Sequence, residues 1–215
     1  MIRRLLFGIL FFIFTLPLFC QQTEKKDALK LYRNGKYAEA ISVCREEIEE
    51  NNKNIDSYVV LCWALVKNGQ YHEAEYWGTE ARKISDSAKY DHRIIEILGE
   101  AKYYLGNNDA ALSLFQEYVS QVSSHIGNRY AEAYYFMGEI YIREARFNYA
   151  DIALTTALTY ENLNDLWWTR LGYAREMAKN YTGAEEAYNR ALKLSPSQTD
   201  AASGIERISK YIKRY

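Results

Sequence analysis

Two patterns of hydrophobic and polar residues meet at Cys20. Residues 5–14 carry no polar side chain, and Thr15 and Pro17 then break the run. Beyond Cys20 the chain turns polar, and short turn-like stretches recur along it: "YRNGKYAEAI" (32–41), "VKNGQYHEAE" (66–75) and "YLGNNDAALS" (104–113). Two more stretches keep the frame without the glycine, "REARFNYADIAL" (143–154) and "MAKNYTGAEEAY" (177–188). A last amphipathic segment, 199–215, sets Ile205, Ile208, Tyr211 and Ile212 on one helical face.

Aligned on these turns, the anchors are Gly35, Gly69, Gly106, Ala145 and Lys179, spaced by 34, 37, 39 and 34 residues. The frame predicts a small residue in the first helix of each unit: Ala28, Cys62, Gly99, Gly138 and Gly172. It also predicts an alanine in each second helix: Ala40, Ala74, Ala111, Ala150 and Ala184. Two helices approach closely only where both side chains are small. A turn aromatic follows each anchor (Tyr37, Tyr71, Phe147, Tyr181), with Asn108 as the exception. "GNND" at 106–109 offers Asn108 or Asp109 as a helix N-cap. The extra three and five residues of the longer spacings fall near 85–92 and 123–130.

Residues 165–198, "DLWWTRLGYAREMAKNYTGAEEAYNRALKLSPSQ", carry Trp168, Leu171, Gly172, Tyr181, Ala184, Tyr188, Ala191 and Pro196. In that register they resemble the tetratricopeptide repeat (TPR), a unit of two antiparallel helices. The unit departs from the family pattern at Arg175 and Lys179. The resemblance implies an all-α fold. It would be a right-handed superhelix of five helix-turn-helix repeats (21–54, 55–88, 92–125, 131–164, 165–198) closed by a C-terminal capping helix over 199–215.

The N-terminus sets the expected compartment. Arg3 and Arg4 precede an apolar stretch that runs to Phe19, 15 residues long. A membrane-spanning helix needs roughly 20. Residues 1–20 therefore read as an export signal. Three fates of this segment stay open: simple cleavage, lipidation at Cys20, or retention as a membrane anchor. Each places the folded part outside the cytoplasm, in the periplasm or on the membrane of a bacterial cell envelope.

Composition narrows the function. The formal charge is −1, and loss of residues 1–20 removes two arginines and no acid. A mildly acidic chain without a basic block argues against nucleic acid. His72, His92 and His125 are scattered, so no metal site is expected. Cys44 and Cys62 read as small core residues, although an exported chain could pair them. Neither a glycine-rich phosphate loop nor a Gly-x-Ser-x-Gly elbow is present. The chain reads as non-enzymatic, with no cofactor.

In proteins of the resembled family the first helices line a concave surface on which partners lie. Carried over by register, that surface would comprise Leu29, Tyr32, Arg33, Val59, Trp63, Lys67, Arg93, Glu96, Glu100, Tyr103, Tyr104, Tyr135, Glu139, Ile142, Tyr173 and Met177. Lys25, Glu132 and Glu176 interleave with them. Basic residues gather in the first half and acidic ones in the second, which would orient a bound peptide. The family's carboxylate clamp maps to Lys25, Leu29, Val60, Arg93 and Ile97, and both of its asparagines are missing. The expected function is protein–protein interaction, as a scaffold or assembly subunit of the envelope. The alternative is an accessory component of periplasmic solute uptake, contacting a substrate-binding protein or a small apolar ligand in a pocket among Trp63, Tyr103, Tyr104 and Tyr135. The sequence leaves the oligomeric state open.

Overall fold

A computed structural model describes residues 27–84, 86–122 and 129–212. The readings that fall on residues 1–20 and on Lys25 lie outside the described residues. Helices pair in chain order: α1 (Ala28–Arg33) with α2 (Tyr37–Glu50), and α3 (Ile55–Lys67) with α4 (Tyr71–Ile84). A four-residue helix, α5 (Asp86–Lys89), takes up the first insertion. Three further pairs follow: α6 (His92–Tyr104) with α7 (Asn108–Gln121), α8 (Tyr130–Arg143) with α9 (Phe147–Tyr160), and α10 (Asp165–Met177) with α11 (Tyr181–Leu194). The capping helix α12 (Thr199–Ile208) runs into a 3₁₀ turn, Ser209–Tyr211. No strand occurs among the described residues.

The joint inside each pair is built the same way five times. Gly35, Gly69, Gly106, Ala145 and Lys179 all have positive φ, between 56° and 79°. The residue after each anchor donates its backbone N–H back to a carbonyl five residues earlier: Lys36 to Leu31, Gln70 to Leu65, Asn107 to Lys102, Arg146 to Tyr141 and Asn180 to Arg175. That bond ends the first helix and satisfies one of its orphan carbonyls. The second helix starts one residue later, at the turn aromatic where there is one. The cap of α7 is Asn107, which accepts from the backbone N–H of Ala110, rather than Asn108 or Asp109.

Three of the turn aromatics reach the next unit, while Tyr37 packs on Tyr32 of its own pair at 5.8 Å. Tyr71 stacks on Tyr104 of α6 with centroids 4.6 Å apart, and Tyr181 stacks on Tyr211 at 4.4 Å. Phe147 meets Tyr173 of α10 edge-on at 6.4 Å. Where Asn108 replaces the aromatic, Arg143 of α8 fills the joint. Its guanidinium lies 3.8 Å from the centre of the Tyr103 ring, and its Nη1 donates to Asn108 Oδ1.

The close approach of paired helices differs from the expected small-on-small contact. The five alanines of the second helices are at most 1% exposed. The first-helix glycines, however, receive the large side chain one turn beyond that alanine. A Cβ on Gly99 would meet the Phe115 ring, and one on Gly138 would meet Leu154 at 2.6 Å. In the second pair Cys62 of α3 sets its thiol against the Ala74 carbonyl, and Gly78 of α4 receives Leu98 from α6 of the next unit. Interiors are packed too densely to hold two large groups there, so one partner of each pair gives way.

One apolar cluster joins α1–α4 to α6, a second joins α6–α11, and a third seats α12 on α11 through Tyr188, Ala191, Ala201 and Ile208. The helix α3 is buried nearly all round, as a helix with neighbours on every side must be. Cys44 and Cys62 are free, buried thiols. Burial pushes the Cys44 thiol up to about 12, and that of Cys62 rises too. Among the described residues no helix is long and apolar enough to cross a membrane.

Candidate functional site

The first helices α1, α3, α6, α8 and α10 carry the predicted surface. Aromatic rings tie them together across repeats. Tyr32 stacks on Trp63 at 5.8 Å, Tyr103 packs on Phe136 at 4.9 Å, and Tyr135 stacks on Trp167 at 4.9 Å. Burial pushes the phenol of Tyr104 up to about 12, with the Glu100 charge adding to it, and raises that of Tyr135 as well.

Not all predicted positions are open. Tyr103 is 8% exposed and belongs to the core, and Val59, 1% exposed, is a core residue that shows only an edge to the cleft between α1 and α3. Glu96, Glu100 and Glu139 are buried as well. Tyr104 and Met177 are exposed, and Leu29, Tyr32, Trp63, Tyr135, Ile142 and Tyr173 are half-buried. Leu29, Arg33, Val59, Trp63 and Arg93 come together around one open cleft of about 520 Å³, between α1 and α3 and the start of α6.

The expected separation of charge does not survive pairing. Arg93 is held by Asp56 and Asp91, each at 2.7 Å. Burial opposes the Asp91 charge, but the hydrogen bonds from Arg93 outweigh it and hold this carboxyl below its usual range. Glu139 takes Arg170 Nε at 2.6 Å. Glu176 takes Arg207 through two bonds of 2.8 Å and accepts the Tyr188 hydroxyl at 2.7 Å. In both of the last two cases acid and arginine are 31 residues apart, one repeat less about one helical turn. That period is the signal by which Arg170 and Arg207 could have been found.

Near the middle of the surface the pairing is incomplete. Glu96 and Glu100 lie one turn apart on α6, both 1% exposed. Arg129, just ahead of α8, donates Nη2 to Glu100 Oε2 and meets Glu96 Oε1 at 2.7 Å. Lys67 Nζ lies 3.6 Å from Glu100. Glu132 of α8 adds a third carboxylate, close enough to act on both Glu96 and Arg129. Burial is the main cause that pushes the Glu96 carboxyl up to about 7. Arg129 pulls it down, and Glu100 and Glu132 push it further up. Glu132 is raised by burial too. Burial raises the Tyr32 phenol, and Arg129, Glu100 and Glu96 also act on it, so the cluster lies within electrostatic reach of that ring. Arg129 escaped the repeat frame because it sits in the five-residue insertion, where no register exists.

A second cleft, of about 440 Å³, lies outside the predicted set. It is lined by Leu158 of α9, Trp168 and Leu171 of α10, and Ala187 and Arg190 of α11. Among the described residues no group of three His, Cys, Asp or Glu side chains is placed to hold a metal ion.

Several solved proteins share this architecture of stacked helix pairs. The MamA protein of Desulfovibrio magneticus RS-1 superposes with a TM-score of 0.66, at 18% identity over 80% of this chain and 92% of its own. YrrB, described as a TPR protein with an unusual peptide-binding site, gives 0.64 at 16% identity, over 83% of this chain and 88% of its own. A thermophilic TPR protein of Thermus thermophilus gives 0.59 at 19% identity, over 85% and 95%. The fold is a tetratricopeptide-repeat solenoid. The tetratricopeptide-repeat family model matches residues 166–198, the fifth helix pair of the solenoid. No curated protein matches the chain.

Proposed function

We propose that this solenoid is a non-enzymatic protein-interaction scaffold or assembly subunit of a bacterial cell envelope, holding a partner segment on its concave face. The observation that carries the reading is the set of stacked aromatic rings between repeats, Tyr32 on Trp63 and Tyr135 on Trp167 across first helices, and Tyr71 at the start of α4 on Tyr104 of α6. Stacking between repeats fixes each ring before a partner arrives, so docking costs little side-chain entropy. Large rigid rings with polar tips suit protein contacts. The fold is shared with YrrB, described as having a peptide-binding site, which supports the same use here. The export signal read in residues 1–20 supports the compartment.

The solute-uptake alternative called for a pocket shared by Trp63, Tyr103, Tyr104 and Tyr135. Trp63 is committed to Tyr32 of α1, whereas Tyr103, Tyr104 and Tyr135 all pack on Phe136 of α8, and Tyr103 and Phe136 are themselves buried. That division favours an extended contact surface over one small-molecule pocket.

The test is photo-crosslinking in cells. A benzophenone amino acid replaces exposed Tyr104 on α6 or, separately, exposed Ile152 on α9. The reading expects one defined envelope protein joined at position 104 and not at 152. Crosslinks at 152 alone would move the binding surface to the second helices. Mass spectrometry of the same material reports whether the chain starts at Met1, at a lipidated Cys20 or at Gln21.

A further inference from the structure

We infer that the cleft of about 440 Å³ among α9, α10 and α11 is a binding site for a free apolar amino acid, held as a zwitterion. The inference goes beyond the concave-face reading and does not rest on it.

The apolar lining is the first argument. Leu158 of α9, Leu171 of α10 and Ala187 of α11 are buried residues that meet at this cleft. The half-buried Trp168 ring joins them, and its Nε1 donates to the Asn162 carbonyl at 2.9 Å, which holds the ring in place. Arg175 is held as well: its Nε donates to Asp151 at 3.0 Å and its Nη1 to the Gly183 carbonyl at 3.3 Å. The walls are therefore set before a ligand arrives. The volume falls within the range of about 300–1,000 Å³ usual for small-molecule sites.

Charge is the second argument and is independent of the lining. Glu186 and Arg190 lie one turn apart on α11 and both border the cleft. An acid four residues ahead of a base is the favoured order for an ion pair within a helix. Here the pair is not made: among the described residues neither side chain takes part in an ion pair or a hydrogen bond. Arg190 is turned over Trp168 instead, with its guanidinium 6.0 Å from the ring centre. The third charged group of the lining, Arg175, is already paired with Asp151. One cation and one anion are thus left at the same apolar cleft. A simple anion would be repelled by Glu186 and a simple cation by Arg190, whereas a zwitterion answers both. Side chains four apart on a helix start about 5–6 Å from each other. Their heads can converge on an ammonium and a carboxylate borne by one carbon. A guanidinium takes a carboxylate through two parallel bonds, and Glu186 accepts from the ammonium. The ligand's side chain then lies on Leu158, Leu171 and Ala187 beside the Trp168 ring.

The probes are L-phenylalanine and three analogues, titrated by NMR into the full chain at pH 6. N-acetylphenylalanine lacks the ammonium, phenylalanine amide lacks the carboxylate, and glycine lacks the apolar side chain. Phenylalanine is expected to shift the Trp168 indole N–H and to bind about tenfold more tightly than each analogue. Arg190→Gln and Glu186→Gln should each lower its affinity about tenfold. Glu186 is exposed and Arg190 half-buried, so both variants should melt with the wild type. Should one melt early, the other decides. No detectable binding of phenylalanine, or equal binding of the acetylated or amidated analogue, overturns the inference. So does unchanged affinity in a folded variant. Binding that moves the Trp63 indole signal and leaves that of Trp168 in place would put the ligand on the concave face and overturn the assignment to this cleft.

Discussion

Gly172 and Tyr188 divide one space between two helices: a Cβ on Gly172 would stand 2.5 Å from Cδ1 of the tyrosine ring. The ring cannot retreat, because Gly204 of α12 lies against its far side and would clash through a Cβ of its own. Its hydroxyl is fixed by Glu176, which Arg207 of the capping helix also grips. One tyrosine therefore couples the last repeat to its cap. Gly172→Ala should lose about 1–3 kcal/mol to overpacking. In a Tyr188→Ala background the same change should cost much less, a coupling that urea denaturation of the four proteins measures. Equal costs in both backgrounds would mean that the ring is not the obstacle.

The alanines of the second helices make a similar demand. Ala150 is fully buried where α9 crosses α8, one turn before the Leu154 side chain that fills the notch at Gly138. Ala150→Leu adds volume with no outlet and should cost about 1–3 kcal/mol. For a chain of this size each kcal/mol lowers Tm by about 2–4 °C. A variant that melts with the wild type would put α9 in the wrong register.

The same repeat frame shows what a sequence can and cannot disclose. The anchors were legible because a left-handed turn selects glycine, and three of five keep it. The face of each first helix was legible too, since helical periodicity assigns direction. Depth was not. Glu96 and Glu100 occupy the expected face, yet they are sealed by Arg129, and Arg129 comes from an insertion that has no counterpart in the other repeats. Which residue opposes each first-helix glycine was also hidden. Alanine recurs and draws the eye, whereas the ring or branched chain that fills the notch changes from Phe115 to Leu154 to Tyr188.

Ala145 and Lys179 hold the left-handed conformation without being glycine, at φ 56° and 64°. That conformation costs an L-residue about 1–2 kcal/mol, while glycine costs about 0.4–1 kcal/mol through the unfolded chain. Lys179→Gly should therefore stabilise by about 0.5 kcal/mol. Gly69→Ala should destabilise through φ alone, because nothing lies within 4 Å of the added Cβ. Thermal melts of the two variants moving in opposite directions would confirm that the turns, not side-chain contacts, set these preferences.

Glu96 also makes a prediction about pH, and the sign follows from its raised proton affinity. Its folded-state pKa of about 7 lies above the ordinary 4.5, so the folded protein holds a proton that the unfolded chain has lost. Stability from this group is fully present below about pH 4.5 and is lost as pH rises through about 7. Glu132 is shifted the same way and adds to the effect. Asp91 and Glu176 are shifted downward, because their arginine bonds outweigh burial. Their contributions stay in place at and above neutrality and are lost only as the pH falls below the ordinary carboxylate range. Between pH 8 and pH 5.5 the balance thus favours the acidic side, and Tm should rise by a few degrees across that interval. Glu96→Gln removes the titrating group and should flatten the profile there, with the loss at strongly acidic pH unchanged. A wild-type Tm that falls steadily from pH 8 to 5.5 would show that the Glu96 carboxylate is compensated in the folded state.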